Sequence, residues 1–176
     1  MQLHDLKSLI VFSSPAGTTR HVALVIAAAL TAIGSDTTLL DLGKREDSSK
    51  ADGYIGDLES NCCLWIGTPV YAGHAVPPIS SFLDRLPEST GSYAVPFVTW
   101  GAVTSGVALY EMGKTLQEKG YILLGAAKIG AVHSMMWKSN IPLGVGHPDA
   151  QDDRMIEGLV ASVDAKMRAG SVPPLP

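Results

Sequence analysis

A chain of 176 residues, 46% hydrophobic and only 17% charged, can bury roughly 70% of its unfolded surface in one fold and is too apolar to remain disordered. The net charge of −4 is spread as 10 acids and 6 bases over residues 1–90 and 7 of each over residues 91–176. The basic pair Lys44-Arg45 runs straight into Glu46-Asp47, so the chain lacks the clustered cations of a nucleic-acid footprint.

In chain order, residues 8–12 form a short apolar run, and a helix-like pattern over 20–33 stops at Gly34. A second run covers 37–42. The polar stretch 43–61 has room for a short helix around 50–58. A third run, 62–66, leads through a Gly/Pro-rich turn into a helix over 77–86 with Pro at its first turn, where a missing N–H costs nothing. The run 95–100 precedes a helix over 107–119 closed by Gly120, and the run 121–132 precedes a last helix over 149–167. Five runs, each apolar enough to be buried on both faces and alternating with helices, predict a parallel α/β sheet covered on both sides. One domain over 1–168 and a Pro-rich tail or linker over 169–176 are the expected organisation.

The adjacent Cys62 and Cys63 point to opposite faces of a strand and are too few to ligate an iron–sulfur cluster. As buried, unpaired thiols they suit a reducing compartment. The longest apolar stretch, Val22 to Ile33, is shorter than the about 20 residues of a membrane helix, and the first residues lack a basic start followed by an apolar block. These features predict a cytoplasmic protein with no membrane association.

Ligands of open parallel sheets sit beyond the carboxyl ends of the strands, so the loops there carry the functional reading. The first is Ser13-Ser14-Pro15-Ala16-Gly17-Thr18-Thr19, leading straight into a helix. Small residues let its backbone N–H groups converge with the helix N-terminus on an anion, and the hydroxyls of Ser13, Ser14, Thr18 and Thr19 can donate as well. The loop predicts a phosphate cradle without the G-x-G-x-x-G of a dinucleotide fold. The second loop runs from Gly67 to Pro77; its Gly and Pro residues predict a rigid turn, and Tyr71 is an aromatic suited to stacking on a flat ring. The third, Trp100 to Gly106, again offers small residues and an aromatic.

Ser14-Pro15-Ala16-Gly17-Thr18-Thr19 resembles the flavodoxin pattern [ST]-x-T-G-x-T, and Ile66 to Gly73 resembles the flavin-ring loop of flavodoxin-like domains, alone or fused to a ferredoxin domain. The resemblance extends to about Met167. It implies a flavodoxin-like three-layer sandwich with a five-stranded sheet in the order 2-1-3-4-5, binding FMN non-covalently at the three loops. By resemblance, Ser14, Pro15, Ala16, Gly17, Thr18 and Thr19 surround the phosphate, with Ala16 in the place of the usual Thr. Thr68, Pro69, Val70, Tyr71, Ala72 and Gly73, with Trp100, Gly101, Ala102 and Ser105, flank the isoalloxazine. The expected role is electron transfer to a redox partner protein such as a ferredoxin or a reductase. The alternatives are an NAD(P)H-dependent FMN or quinone reductase of the same fold, and a cofactor-free interaction module. The short path from the fourth strand to the helix over 107–119 leans against the reductase, since it leaves no inserted segment for a nicotinamide pocket.

Other patterns have plainer readings. Gly113-Lys114-Thr115 lies inside a helical pattern and lacks the first Gly of a P-loop. His147, Asp149, Asp152 and Asp153 could be drawn as metal ligands, but Asp149 as the N-cap of the last helix, with acids in its first turn, is the favoured reading. The stretch from His133 to Pro148, with Met135-Met136-Trp137, is too long and too apolar for a plain connection. It is expected either to fold over the flavin or form a partner surface, or to pack back on its own sheet.

Overall fold

The computed structural model describes residues 1–57, 62–89, 91–136 and 138–170. Its strands are β1 (Lys7–Phe12), β2 (Asp36–Asp41), β3 (Cys62–Tyr71), β4 (His74–Ala75), β5 (Tyr93–Trp100), β6 (Ile122–Leu123) and β7 (Ala127–Gly130). Its α-helices are α1 (Thr18–Ala32), α2 (Arg45–Asp57), α3 (Pro77–Arg85), α4 (Ala108–Glu118) and α5 (Ala150–Ala169). The sheet runs β2-β1-β3-β5-β6 in parallel register, β7 also pairs with β5, and β4 turns back antiparallel on β3.

Alternation along each strand sends side chains to two separate cores. Ile10, Phe12, Cys63, Trp65 and Phe97 meet α1 and α5 on one face, while Leu9, Val11, Cys62, Leu64 and Val98 meet α2, α3 and α4 on the other. The two cysteines therefore do part to opposite faces. Burial pushes the Cys62 thiol up to about 11 and the Cys63 thiol higher still, so both stay protonated and inert.

The fifth run is a strand in two pieces. Between β6 and β7 the chain leaves the ladder and lies against α5: a Cβ on Gly125 would sit 3.0 Å from Leu159 Cδ1. There the carbonyl of Leu124 accepts from Lys166 Nζ of α5 at 2.8 Å. Helix α2 starts five residues before the predicted Lys50, because its first turn is tied to the preceding strand: Asp47 Oδ2 accepts from the Asp41 N–H at 3.1 Å. The predicted end of that helix, Leu58, lies outside the described residues. At the other end of the chain α5 runs through Ala169 to Gly170, which caps it in the left-handed conformation; residues 171–176 of the expected tail lie outside the described residues.

Strand β3 is the correction that matters for the site. Thr68, Pro69, Val70 and Tyr71, predicted as loop, are its last residues, and Thr68 and Pro69 are in register with Val98 and Thr99 of β5. Gly67 leaves the space that the Phe97 ring fills over β3. It stands opposite Phe97, whose Cζ would lie 2.1 Å from a Cβ there.

Candidate functional site

At the carboxyl end of β1, the chain turns through Gly17, held in the left-handed region at φ 89°, into α1. Ser14 Oγ accepts from the Arg20 N–H at 2.9 Å and so caps the third residue of the helix. The Thr19 side chain turns inward, where its Oγ1 bonds Thr99 Oγ1 of β5 at 2.8 Å, and Ser13 is buried. Of the four hydroxyls expected in the cradle, then, Ser13 is buried beneath it, Ser14 caps, Thr19 ties helix to sheet, and Thr18 remains half-buried beside the cavity. The N–H groups of Ala16, Thr18 and Thr19 make no hydrogen bond within the described residues. They stand at the positive end of the α1 dipole, an arrangement that attracts an anion.

Beyond β3, Ala72 and Gly73 form a two-residue hairpin turn at φ 51° and 89° and return the chain as β4. Thr68, fully buried, spends its hydroxyl inside the chain: Oγ1 accepts from the Val76 N–H at 3.1 Å and donates to the Pro69 carbonyl at 2.9 Å. The Gly73 carbonyl accepts from the N–H groups of both Val107 and Ala108, at 2.8 and 3.1 Å, and His74 Nδ1 meets Glu111 Oε2 at 3.0 Å. The hairpin is thus clamped to the start of α4. Gly106 is part of the clamp, since a Cβ there would fall 2.1 Å from the Gly73 carbonyl oxygen.

A fourth element, the end of the fifth run and the start of the long stretch that follows it, completes the wall. After β7 the chain is held in place by bonds from the Ala131 N–H to the Trp100 carbonyl, from Val132 to His147 and from His133 to Leu143. It then makes a short 3-10 turn at Ser134–Met136. The first residues of the stretch expected over the flavin, at a partner surface or back on the sheet line the cavity, and the backbone bonds to His147 and Leu143 fold the rest back on them. Trp137 lies outside the described residues.

These four segments enclose a cavity of about 780 Å³, within the range of small-molecule sites. Of the sequence-predicted residues, Pro15, Ala16, Thr18, Pro69, Val70, Tyr71, Ala72, Gly73, Trp100 and Gly101 line it. Ser14, Gly17, Thr19, Thr68, Ala102 and Ser105 do not; the first four shape its frame from behind. Val103 and Thr104, within the third loop, and His133, Ser134 and Met135, within the long stretch after the fifth run, line it as well, and Thr99, Ala131 and Val132 line it and were missed. Thr99 sits inside an apolar strand pattern, and Ala131 and Val132 end an apolar run that the resemblance did not implicate. No Asp, Glu, Lys or Arg stands among the lining residues, so the acid excess of the first half of the chain does not reach the cavity. Tyr71, Val103 and Met135 are exposed at its mouth.

The second candidate cluster is a helix cap. Asp149 Oδ1 accepts from the Gln151 and Asp152 N–H groups at 2.7 and 3.1 Å, and Asp152 Oδ2 accepts from the Asp149 N–H at 2.8 Å. His147 Nδ1 sits 2.7 Å from that same Asp152 oxygen, which raises the imidazole pKa, while the backbone bonds lower that of Asp149. Asp153 instead bonds His21 Nε2 at 2.7 Å and fastens α5 to α1.

No protein-family model matches the sequence, and no curated protein matches it. The structure is similar to an archaeal flavodoxin at a TM-score of 0.66 and 16% identity, covering 93% of this chain and 99% of that one. It is similar to an oxidoreductase from Corynebacterium diphtheriae at 0.64 and 18%, covering 95% and 100%. It also matches the flavodiiron core of Flv1 from Synechocystis at 0.69 and 16%, covering 96% of this chain but only 37% of that one. The fold is flavodoxin-like: a parallel sheet in the predicted order, its fifth position filled by β6 and β7, with helices on both faces.

Proposed function

We propose that this flavodoxin-like chain binds FMN non-covalently in the cavity and serves in electron transfer. The observation that carries the reading is the pairing of two unlike sets of residues in one cavity. The unused N–H groups of Ala16, Thr18 and Thr19 stand at the α1 N-terminus, and the rest of the lining brings the aromatics Tyr71 and Trp100 together with apolar residues and no Asp, Glu, Lys or Arg. FMN needs that combination, a site for a phosphate dianion and a flat apolar slot for a ring, and the donor set fits it. The replacement of Thr by Ala at position 16 removes a hydroxyl and leaves the N–H.

In this reading the first loop holds the phosphate by backbone donors and the helix dipole, with the Thr18 hydroxyl as the side-chain donor nearest to hand. Tyr71 and Trp100 offer their faces to the ring, and Pro69, Val70 and Val132 keep water from it. The bound flavin would supply reversible uptake and release of electrons; the protein sets how readily, through the polarity and hydrogen bonding around it. The carrier is favoured over the NAD(P)H-dependent reductase because no Lys or Arg lines the cavity to meet the phosphates of a dinucleotide.

The test is the visible absorbance of the purified protein before and after addition of micromolar FMN, followed by NADH and NADPH. Uptake of FMN without oxidation of either nucleotide is the expected outcome. Rapid nucleotide oxidation would establish the reductase, and a protein that takes up no FMN would leave the fold as an interaction module.

A further inference from the structure

Charge is spread over this chain with one gap. The four segments that enclose the cavity, residues 13–19, 67–77, 99–110 and 131–136, contain no Asp, Glu, Lys or Arg. At the chain's own 17% these 36 residues would carry about six. Charged side chains ordinarily concentrate at exposed positions, so the gap is the reverse of what exposure alone produces. The nearest charges stand at its border. Arg20 follows the first loop, Glu111 is occupied by His74 Nδ1 at 3.0 Å, and Lys128 Nζ reaches Ser105 Oγ at 3.5 Å.

The uncharged surface is also apolar. Tyr71, Val103 and Met135 stand exposed at the mouth of the cavity, Met135 at 82%. The exposed apolar surface then continues past the cavity. Val107 is joined through its N–H to the Gly73 carbonyl of the hairpin, and Tyr110, three residues on and so on the same side of α4, is 70% exposed. Neither lines the cavity. Tyrosine and methionine without charged neighbours is the composition of the buried centre of a protein–protein interface, where aromatics and Met are enriched and charges depleted. Patches of this kind on a single chain mark the places where something binds.

Size and charge identify the occupant. A small molecule held in the cavity does not reach Tyr110, so what covers the whole patch is the surface of another protein. A charged group brought against the patch loses its hydration and meets no opposite charge in return, which selects against a charged docking face. The net charge of −4 lies entirely outside the patch, so a strongly basic partner would be drawn to the remainder of the surface instead. We propose that the cavity mouth and the first turn of α4 form the docking surface for a redox protein whose own face over its redox centre is apolar and uncharged. This rests on the electron-transfer reading above and deepens it by giving the chemistry of the partner.

The probe is a blue-copper protein with an uncharged apolar face over its metal, set against a lysine-ringed cytochrome c. Titrated as Cu(I) into the ¹⁵N-labelled chain without FMN, the copper protein should shift the amide resonances of Val103, Val107, Tyr110 and Met135. Tyr110→Ser should weaken that binding roughly tenfold, and Leu24→Ser, which removes an exposed apolar side chain from α1, should leave it unchanged. With FMN bound and chemically reduced, one electron leaves the flavin for each Cu(II) that becomes Cu(I). The second-order rate should vary by less than about twofold between about 0.01 and 0.15 M salt, and fall in Tyr110→Ser by the same factor as binding. A rate that drops tenfold with salt, a cytochrome c that takes the same amides more tightly, or a Tyr110→Ser chain that binds the copper protein as well as the parent overturns the proposal. So does a dimer of the chain in light scattering, or binding to phosphatidylcholine vesicles, that Tyr110→Ser abolishes. A chain that takes up no FMN removes the electron-transfer reading, while the amide shifts, recorded without flavin, judge the surface by themselves.

Discussion

Replacing Gly67 with alanine tests the strand packing on which the site is mounted. The new Cβ would lie 2.1 Å from Phe97 Cζ and 2.2 Å from its Cε2. Carbon atoms in contact prefer about 3.5–4.0 Å, so the ring or the strand must move by about 1.5 Å. Phe97 is fully buried against α1 and α5, a rigid plate in a close-packed core, and has no empty space to enter. Overpacking of this kind costs about 1–3 kcal/mol, and a clash this deep belongs near about 3 kcal/mol. In a domain of this length that is a fall of roughly 6–12 °C in the thermal midpoint. Urea unfolding followed by circular dichroism gives the free energy directly. Phe97→Leu on its own costs about 1 kcal/mol or more for lost apolar burial. The double variant should nevertheless be more stable than the sum of the two single effects by at least about 1 kcal/mol, since the smaller side chain vacates the contested space. Gly67→Ala unfolding within about 0.5 kcal/mol of the parent, or strictly additive effects, would refute the reasoning.

Two further outcomes follow from the geometry. Ala72 occupies the left-handed region at φ 51° in a turn that favours Asn-Gly, so Ala72→Asn or Ala72→Gly should raise stability by about 1 kcal/mol; a lower thermal midpoint for both variants would contradict the assigned turn. The cap of α5 carries opposite pH dependences. His147 has a pKa raised above 6.5 by its hydrogen bond to Asp152 and by that carboxylate's charge. Its contribution is full below pH 6.5 and is lost as pH rises through the higher folded value, whereas that of Asp149, lowered from 3.8 by backbone donors, is lost as pH falls through the folded value. The stability gap between the parent and His147→Gln should therefore be widest in mild acid and narrow above neutrality, and an NMR titration of His147 with its midpoint at or below 6.5 would contradict this.

The layered architecture was legible in the sequence because parallel strands buried on both faces read as unbroken apolar runs, and Gly34 and Gly120 end their helices where punctuation of that kind should. The cap at Asp149 was legible for a similar reason: its partners are near in sequence. What escaped detection depends on contacts far along the chain. Pro69 and Gly67 have the composition of a turn, yet pairing with β5 draws them into a strand. Thr19 looks like a phosphate ligand until Thr99, 80 residues away, claims its hydroxyl. Ala131 and Val132 read as the end of a buried strand, and become visible as site residues only once the chain after β7 is folded across the end of β5.

The clamp on the Gly73 carbonyl bears on how a ligand arrives. The peptide between Gly73 and His74 cannot turn over without surrendering two N–H bonds from the start of α4, and the His74–Glu111 pair restrains the same corner. This wall of the cavity is accordingly in place before anything enters, and no fraction of the population has to be spent on reaching a competent shape. Association at this site is expected to proceed as a single second-order phase whose rate climbs linearly with ligand concentration, and differences in affinity between ligands to reside in how fast each one leaves.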